Sequence, residues 1–273
     1  MAPSVLITGG GTGVGAAVAR RMAQDGYGVC VAGRRIEPLS EVAGAIGGHA
    51  VAADVCRPDE ARAAVDRCVA RFGRLDALVV SPGVGAGGAV LDQTLERWNR
   101  VIETNLTGAF LICQAALEHL LAARGAIVTV ASLAGLRAGP ESAAYCSSKA
   151  GLVMLTQCIA LDYGPSGVRA NCVCPGWIRT EMADVAMDEL ASLHGTDRPG
   201  AYELAVADVP ARRAGQAEEA AAAVAWLASP AASYVNGAVL TVDGGAAVVD
   251  AGTLAFAPRR RAARSAPART RGE

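Results

Sequence analysis

Aromatic side chains are scarce in this chain: Phe, Tyr and Trp make up 4% of its 273 residues. A core without them is built from Ala, Val and Leu, with the 32 glycines letting elements approach closely. Histidine is scarcer still. His49, His119 and His194 lie far apart, which leaves no metal-ligand cluster and no histidine-based nucleophile site. The eight cysteines include no C-x-x-C pair and sit among apolar neighbours, as buried small hydrophobes in a reducing cytoplasm would. No apolar stretch reaches about 18 uninterrupted residues, so no membrane span is expected. The apolar run that starts at Val5 leaves no room for a signal peptide.

Charge of either sign is also nearly absent in sum. The formal net charge of −1 argues against a general nucleic-acid binder. Its distribution is uneven, because from Pro258 onward six Arg face one Glu and the preceding residues are left at −6. Residues 258–273 read as a solvated, disordered extension. With 52% hydrophobic content the remainder, residues 1–257, can bury one large core as a single domain.

Short β-branched runs recur between longer helical patterns: residues 5–8, 29–32, 50–53, 77–81, 126–131, 168–173 and 238–242. This alternation predicts repeated βαβ units around a parallel sheet with helices on both faces. Each run is continuously apolar because both of its faces are covered. One long irregular excursion, about 179–213, falls between the sixth and seventh strands, where a lid over a ligand is expected.

The first strand runs directly into T-G-G-G-T-G-V-G at residues 8–15 and then into a helical pattern. Glycines at that place allow a tight turn and a close approach of backbone to a pyrophosphate at a helix N-terminus. G-x-x-x-x-G-K-[ST] is missing, which excludes an ATPase P-loop. The second strand ends in Gly33-Arg34-Arg35. A carboxylate there would bind the adenosine ribose hydroxyls, whereas an Arg accommodates a 2′-phosphate. Arg34, with Arg35 as its lesser partner, therefore favours NADP(H) over NAD(H). Asp54 and Val55 follow the third strand, where a side chain and a backbone amide meet the adenine.

Tyr145 and Lys149 are four residues apart, and Ser132 ends the fifth strand. On a helix, residues i and i+4 share a face, so the ammonium lies beside the ring. A cation there favours the phenolate and moves a group of pKa about 10 towards working pH. Two hydroxyl donors converging on one oxygen would stabilise the oxyanion character of a hydride acceptor.

Together, TGGGTGVG at 8–15, Asp54, Asn105 in TNLTG, Ser132, Tyr145-x-x-x-Lys149, Pro175-Gly176 and Val242-Asp243-Gly244-Gly245 resemble the short-chain dehydrogenase/reductase family over residues 4–245. The resemblance implies an α/β fold, a single Rossmann-like doubly wound domain with a seven-stranded parallel sheet in the order 3-2-1-4-5-6-7. It also implies a homotetramer or homodimer paired through the helices near 105–123 and 145–163. By that similarity Tyr145 is the general acid in ketone reduction and the general base in alcohol oxidation, and Ser132 polarises the substrate oxygen. Lys149 lowers the tyrosine pKa and holds the nicotinamide ribose. Asn105 kinks its helix and binds a water that links Lys149 to bulk solvent. The cofactor contacts carried over are Gly9, Thr12, Gly13, Val14 and Gly15 in the turn, then Gly83, Tyr145, Lys149, Pro175, Gly176, Ile178 and Thr180.

One segment departs from the family pattern. Val80-Ser81-Pro82-Gly83 stands where Asn-Asn-Ala-Gly is common, so a strand-stabilising Asn is lost and Pro82 removes a backbone donor. Leu133, Glu141, Trp177 and Met182 are the substrate-pocket candidates, and Ser147 and Ser148 read as helix-packing hydroxyls. The expected function is interconversion of a small-molecule secondary alcohol and ketone. A 3-oxoacyl-thioester reductase is the alternative, disfavoured because Ala126 and Ser166 stand where such enzymes carry basic residues. The other alternative is a non-catalytic NAD(P)-binding regulator, encouraged only by the altered 80–83 segment and the Arg-rich tail.

Overall fold

A computed structural model describes residues 2–85, 87–250 and 252–254; the Arg-rich tail and the last residues of the 1–257 domain lie outside them. Strands β1 (Ser4–Thr8), β2 (Gly28–Gly33), β3 (His49–Ala52), β4 (Ala77–Val80), β5 (Ala126–Val130), β6 (Arg169–Pro175) and β7 (Val239–Val242) form one sheet. All six pairings are parallel, in the order β3-β2-β1-β4-β5-β6-β7. The order reverses between β1 and β4, so the crevice beyond their carboxyl ends is the place for a ligand.

Two cores flank the sheet, and β1 shows why its sequence is continuously apolar. Leu6 enters one core while Val5 and Ile7 enter the other, the period-2 alternation of a strand. On one face, α1 (Gly13–Gln24) packs against α9 (Ala217–Ala228) through Ala16, Ala17, Ala221 and Ala225, small side chains that let the helices close up without aromatics. α2 (Ile36–Ile46) joins them. The opposite face carries α3 (Pro58–Phe72), α5 (Gly108–Ala123) and α6 (Ala143–Tyr163).

α4 (Leu95–Ile102) continues into α5 through five residues of π-helix, Glu103–Thr107. A π-turn inside a helix commonly marks a functional position, and here it contains Asn105, only 1% exposed. The whole rod, Leu95–Ala123, is long and apolar enough by length and composition to cross a membrane, although Glu103 and Glu118 interrupt its apolar run, and 33% of its apolar window is buried. A helix packed on a sheet reaches the same length and composition. Its close fit comes at Gly108, where a Cβ would stand 2.8 Å from Val55 Cγ2.

The irregular 179–213 region is a pair of helices, α7 (Glu181–His194) and α8 (Arg198–Ala205), with a small core of its own around Met187 and Tyr202. Arg198 bridges to Asp188 at 2.7 Å, and the Tyr202 hydroxyl donates to Asp184 Oδ1 at 2.9 Å. The cysteines are less uniform than expected. Cys30, Cys68, Cys113, Cys172 and Cys174 are buried, Cys56 and Cys146 are half-buried, and Cys158 is exposed.

Candidate active site

The turn after β1 is shaped by what a side chain would strike. A Cβ on Gly9, at φ +69°, would press on Pro82 N at 2.8 Å and on the Ser81 carbonyl, and one on Gly15 would overlap the Gly9 carbonyl. The loops after β1 and β4 therefore touch backbone to backbone. Thr12, the N-cap of α1, is extended and makes no side-chain capping bond, which leaves the first N–H groups of α1 to an outside acceptor. Val14 anchors that turn against the α1 core. Thr180, from the start of the lid, closes the far side, its Cγ2 being 3.2 Å from where a Gly13 Cβ would sit. These residues fit a pyrophosphate, as a cradle that side chains would otherwise fill.

Arg34 and Arg35 are exposed at the end of β2 and form no ion pair or side-chain hydrogen bond among the described residues. Asp54 is engaged locally, its Oδ1 accepting from Cys56 N at 3.0 Å, and the Val55 side chain is buried against Gly108.

Ser132, Tyr145, Lys149, Asn105 and Gly83 converge at the carboxyl ends of β4 and β5. Ser132 caps a short 3-10 turn, Leu133–Gly135, its Oγ accepting from Ala134 N at 3.1 Å, and the same hydroxyl interacts with the Tyr145 phenol. Lys149 is 3% exposed, donates to the Val130 carbonyl at 3.0 Å and stands 5.8 Å from the Tyr145 ring centroid. Burial pushes its pKa down from 10.5 to about 8, against a smaller upward pull from the thiols of Cys172 and Cys174. A Cβ on Gly83 would lie 3.5 Å from Lys149 Nζ, 3.9 Å from Asn105 Oδ1 and 3.9 Å from Met182 Cε.

One expectation needs correction here. Tyr145 is raised above 10, first by burial, and its largest downward influence is the Ser132 hydroxyl, not Lys149. The ammonium donates to the Val130 carbonyl at the end of β5 and stands 5.8 Å from the ring centroid, too far to offset the burial of the phenol. Asn105 is clamped to protein, its Oδ1 accepting from Val84 N at 2.8 Å and its Nδ2 donating to Val84 O at 2.9 Å and Ser148 Oγ at 3.0 Å. Ser148 in turn donates to the Tyr145 carbonyl at 2.8 Å. Sequence reasoning set Ser148 aside as a packing hydroxyl. It joins the π-turn to the helix that carries Tyr145 and Lys149, and its place directly before Lys149 was the only available signal.

The pocket candidates divide. Met182 reaches from α7 over Gly83, and Leu133 is half-buried beside Ser132. Glu141 is exposed and held at φ +51°, a strained conformation for a residue with a side chain. Trp177 is 42% exposed and lines a small hollow with Arg213, Glu219 and Asp243. Pro175 pairs with Val242, and a Cβ on Gly176 would press on Asp243 at 3.0 Å. Ile178 bridges to Gly215 through its neighbours' backbone, Gly215 N donating to Trp177 O and Arg179 N to Gly215 O, so its own amide faces the opposite side.

Compared with known proteins, residues 9–247 match the family model described as enoyl-(acyl carrier protein) reductase. The chain is 42% identical over 261 residues to protein MoaE of Klebsiella aerogenes, covering 94% of this chain and all of that one. It is 40% identical to cis-4-hydroxycyclohexanecarboxylate dehydrogenase of Sinomonas cyclohexanicum, over 88% of this chain and 94% of that protein. Among solved structures, a single-site variant of actinorhodin polyketide ketoreductase with NADPH superposes with a TM-score of 0.85 at 33% identity, over 89% of this chain and 96% of that one.

Proposed function

Because the chain belongs to the short-chain dehydrogenase/reductase family, oxidoreductases acting on alcohols and ketones, we propose that it interconverts a small secondary alcohol and its ketone with NADP(H). The observation that carries this reading is the buried Lys149 beside Tyr145, its Nζ 5.8 Å from the ring centroid and donating to the Val130 carbonyl, two residues before Ser132, at 3.0 Å. The turn residues Gly9, Thr12, Gly13 and Gly15, with Thr180, would hold the pyrophosphate, and Arg34 the adenosine 2′-phosphate. The bound nicotinamide supplies or accepts the hydride.

In ketone reduction Ser132 and Tyr145 both donate to the substrate oxygen, and Tyr145 releases its proton to it. A phenol raised by burial is protonated at neutral pH, so the site stands loaded for reduction, and alcohol oxidation gains as pH rises. Lys149, cationic below about 8, stabilises the phenolate left after transfer. Asn105 and Ser148 hold the helix that presents both residues. The copies pair through α5 and α6, whose Phe110, Met154 and Leu161 are 45%, 58% and 78% exposed. A reducing cytoplasm suits eight free thiols.

A second reading, reduction of an acyl-carrier-bound thioester ketone, is favoured by the description of the matching family model. Against it, Ala126 is buried in β5 and Ser166 ends a 3-10 turn. The nearby Arg169 is tied to the carbonyls of Leu227 at 2.9 Å and Ser229 at 3.0 Å. Turnover of a ketone panel with NADPH or NADH, followed by absorbance of the reduced nicotinamide, tests the first reading, and a 3-oxoacyl thioester in the same assay tests the second. Tyr145→Phe is expected to cut turnover by about 10²–10⁴. Unchanged turnover in that variant defeats the mechanism.

A further inference from the structure

Ser132 opens a turn that hydrogen-bonds to itself. Its carbonyl accepts from Gly135 N at 2.9 Å, and the Leu133 carbonyl accepts from Leu136 N at 2.9 Å and Arg137 N at 3.0 Å. A Cβ on Gly135 would press on the Lys149 carbonyl at 2.8 Å, so the turn also lies against the helix that carries Tyr145. Beyond Arg137 that support stops. Every residue from Leu136 to Glu141 is exposed, and among the described residues the backbone next joins another element at the Glu141 carbonyl, which accepts from Gly88 N at 2.9 Å.

The end of the turn is tied across the chain by one side chain. A single guanidinium nitrogen of Arg137 donates to the Val249 carbonyl at 2.9 Å and to the Ala246 carbonyl at 3.4 Å, 112 and 109 residues further on. Those acceptors are themselves fixed. The Asp243 carboxylate, directly after β7, accepts from Gly245 N at 3.0 Å and Ala247 N at 2.6 Å, and the Gly244 carbonyl accepts from Ala211 N at 3.0 Å beyond the lid helices. An exposed guanidinium has water as an equal alternative to these carbonyls, so the two bonds add little stability. What they fix is geometry.

Building on the oxidoreductase reading, we propose that Arg137 is a positioning residue: it clasps the Ser132 turn to the segment 246–249 and so sets the direction of the Ser132 hydroxyl. The backbone of Ser132 is placed by β5, since Ala131 N donates to the Val173 carbonyl at 2.8 Å. Its Oγ is placed from within the turn, where it accepts from Ala134 N at 3.1 Å. A turn released at Arg137 lets Ala134 N drift, and the hydroxyl follows. The segment after β7 thereby belongs to the frame of the site, although none of its residues reacts.

The test uses the full-length enzyme with NADPH and a ketone that the wild type reduces, well below the melting temperature of every variant. Arg137→Met is expected to lower kcat at least about fivefold with KM for NADPH unchanged, because a misplacement of about 1 Å at a reacting group can cost a larger factor. Arg137→Lys keeps a cationic donor on a long stem and is expected to recover most of that loss. An unchanged kcat in Arg137→Met overturns the proposal, as does an Arg137→Lys enzyme that is equally slow. A merely structural arginine would lower the melting temperature and leave kcat unmoved. If the wild type reduces no ketone, the oxidoreductase reading has failed, and the clasp is judged by hydrogen exchange. Exchange of the Gly135, Leu136 and Arg137 amides at least about tenfold faster in Arg137→Met, with the α6 amides unmoved, supports it, and equal rates overturn it.

Discussion

Lys149→Met should make the protein more stable relative to wild type at neutral pH than at high pH, although it removes an active-site residue. The wild-type ammonium is 3% exposed and its pKa is lowered from 10.5 to about 8 by burial. At about 1.36 kcal/mol per pKa unit, holding that charge inside costs the folded state about 3 kcal/mol at pH 7. Between pH 8 and 10.5 the unfolded chain binds the proton that the folded one has released. The penalty therefore fades as pH rises through that window and is gone above it. Methionine carries no proton, so it never has this penalty. It also leaves the Val130 carbonyl without its donor, a loss of about 1–3 kcal/mol that does not vary with pH. The two effects separate in the difference between wild type and variant, from urea melts of both proteins at pH 7, 8, 9 and 10 at one protein concentration. The offset reports the carbonyl, and the change across pH, up to about 3 kcal/mol in favour of Met at the low end, reports the buried charge. A difference constant with pH would refute the claim that Lys149 is held charged at a cost.

Gly33→Asp should fold, since a Cβ there meets nothing nearer than Leu39 Cδ1 at 3.7 Å, and it places a carboxylate where a 2′-phosphate would sit. We expect the ratio of kcat/KM for NADPH over NADH to fall at least about tenfold, equivalent to about 1.4 kcal/mol, and an unmoved ratio would remove the phosphate assignment. Ser148→Ala breaks the bridge from Asn105 to the Tyr145 carbonyl and should cost about 1–2 kcal/mol in denaturant melts. Its kcat should fall by more than its KM for cofactor changes, and wild-type behaviour in both would show the bridge to be idle.

The seven strands were legible in the sequence to within two residues because a parallel strand covered on both faces is apolar without interruption and ends at glycines or polar turns. The lid was legible as an excursion only. Its helix signals were mixed with Pro and Gly, which left unplaced the bounds of α7, started by the Thr180 cap, and of α8, started by Asp197, whose Oδ1 accepts from Gly200 N. Tyr145 and Lys149 could be found because one helix carries both. The bonds that set their environment could not, since Asn105 meets Ser148 across 43 residues and Lys149 meets Val130 across 19. The direction of the Tyr145 shift was missed for a related reason. Spacing locates a neighbouring cation, whereas desolvation depends on every element that covers the ring.

The π-turn at Glu103–Thr107 also fixes how this chain can change in length. An α-helix advances about 100° per residue, and the wider turn accommodates one residue more than a regular rod would. Losing a single residue between 103 and 107 would let that turn close to regular winding with α4 and α5 still in phase, and would remove the widened segment that holds Asn105. Val101 would keep its place in the core, where it is now 0% exposed, while Asn105 would swing off Val84 and Ser148. The loop between α7 and α8, where residues 195–197 are exposed, faces no such constraint. Insertions and deletions should thus be admitted freely at the lid, whereas a deletion in the π-turn would spare the packing of the rod and cost the bonds that place Asn105.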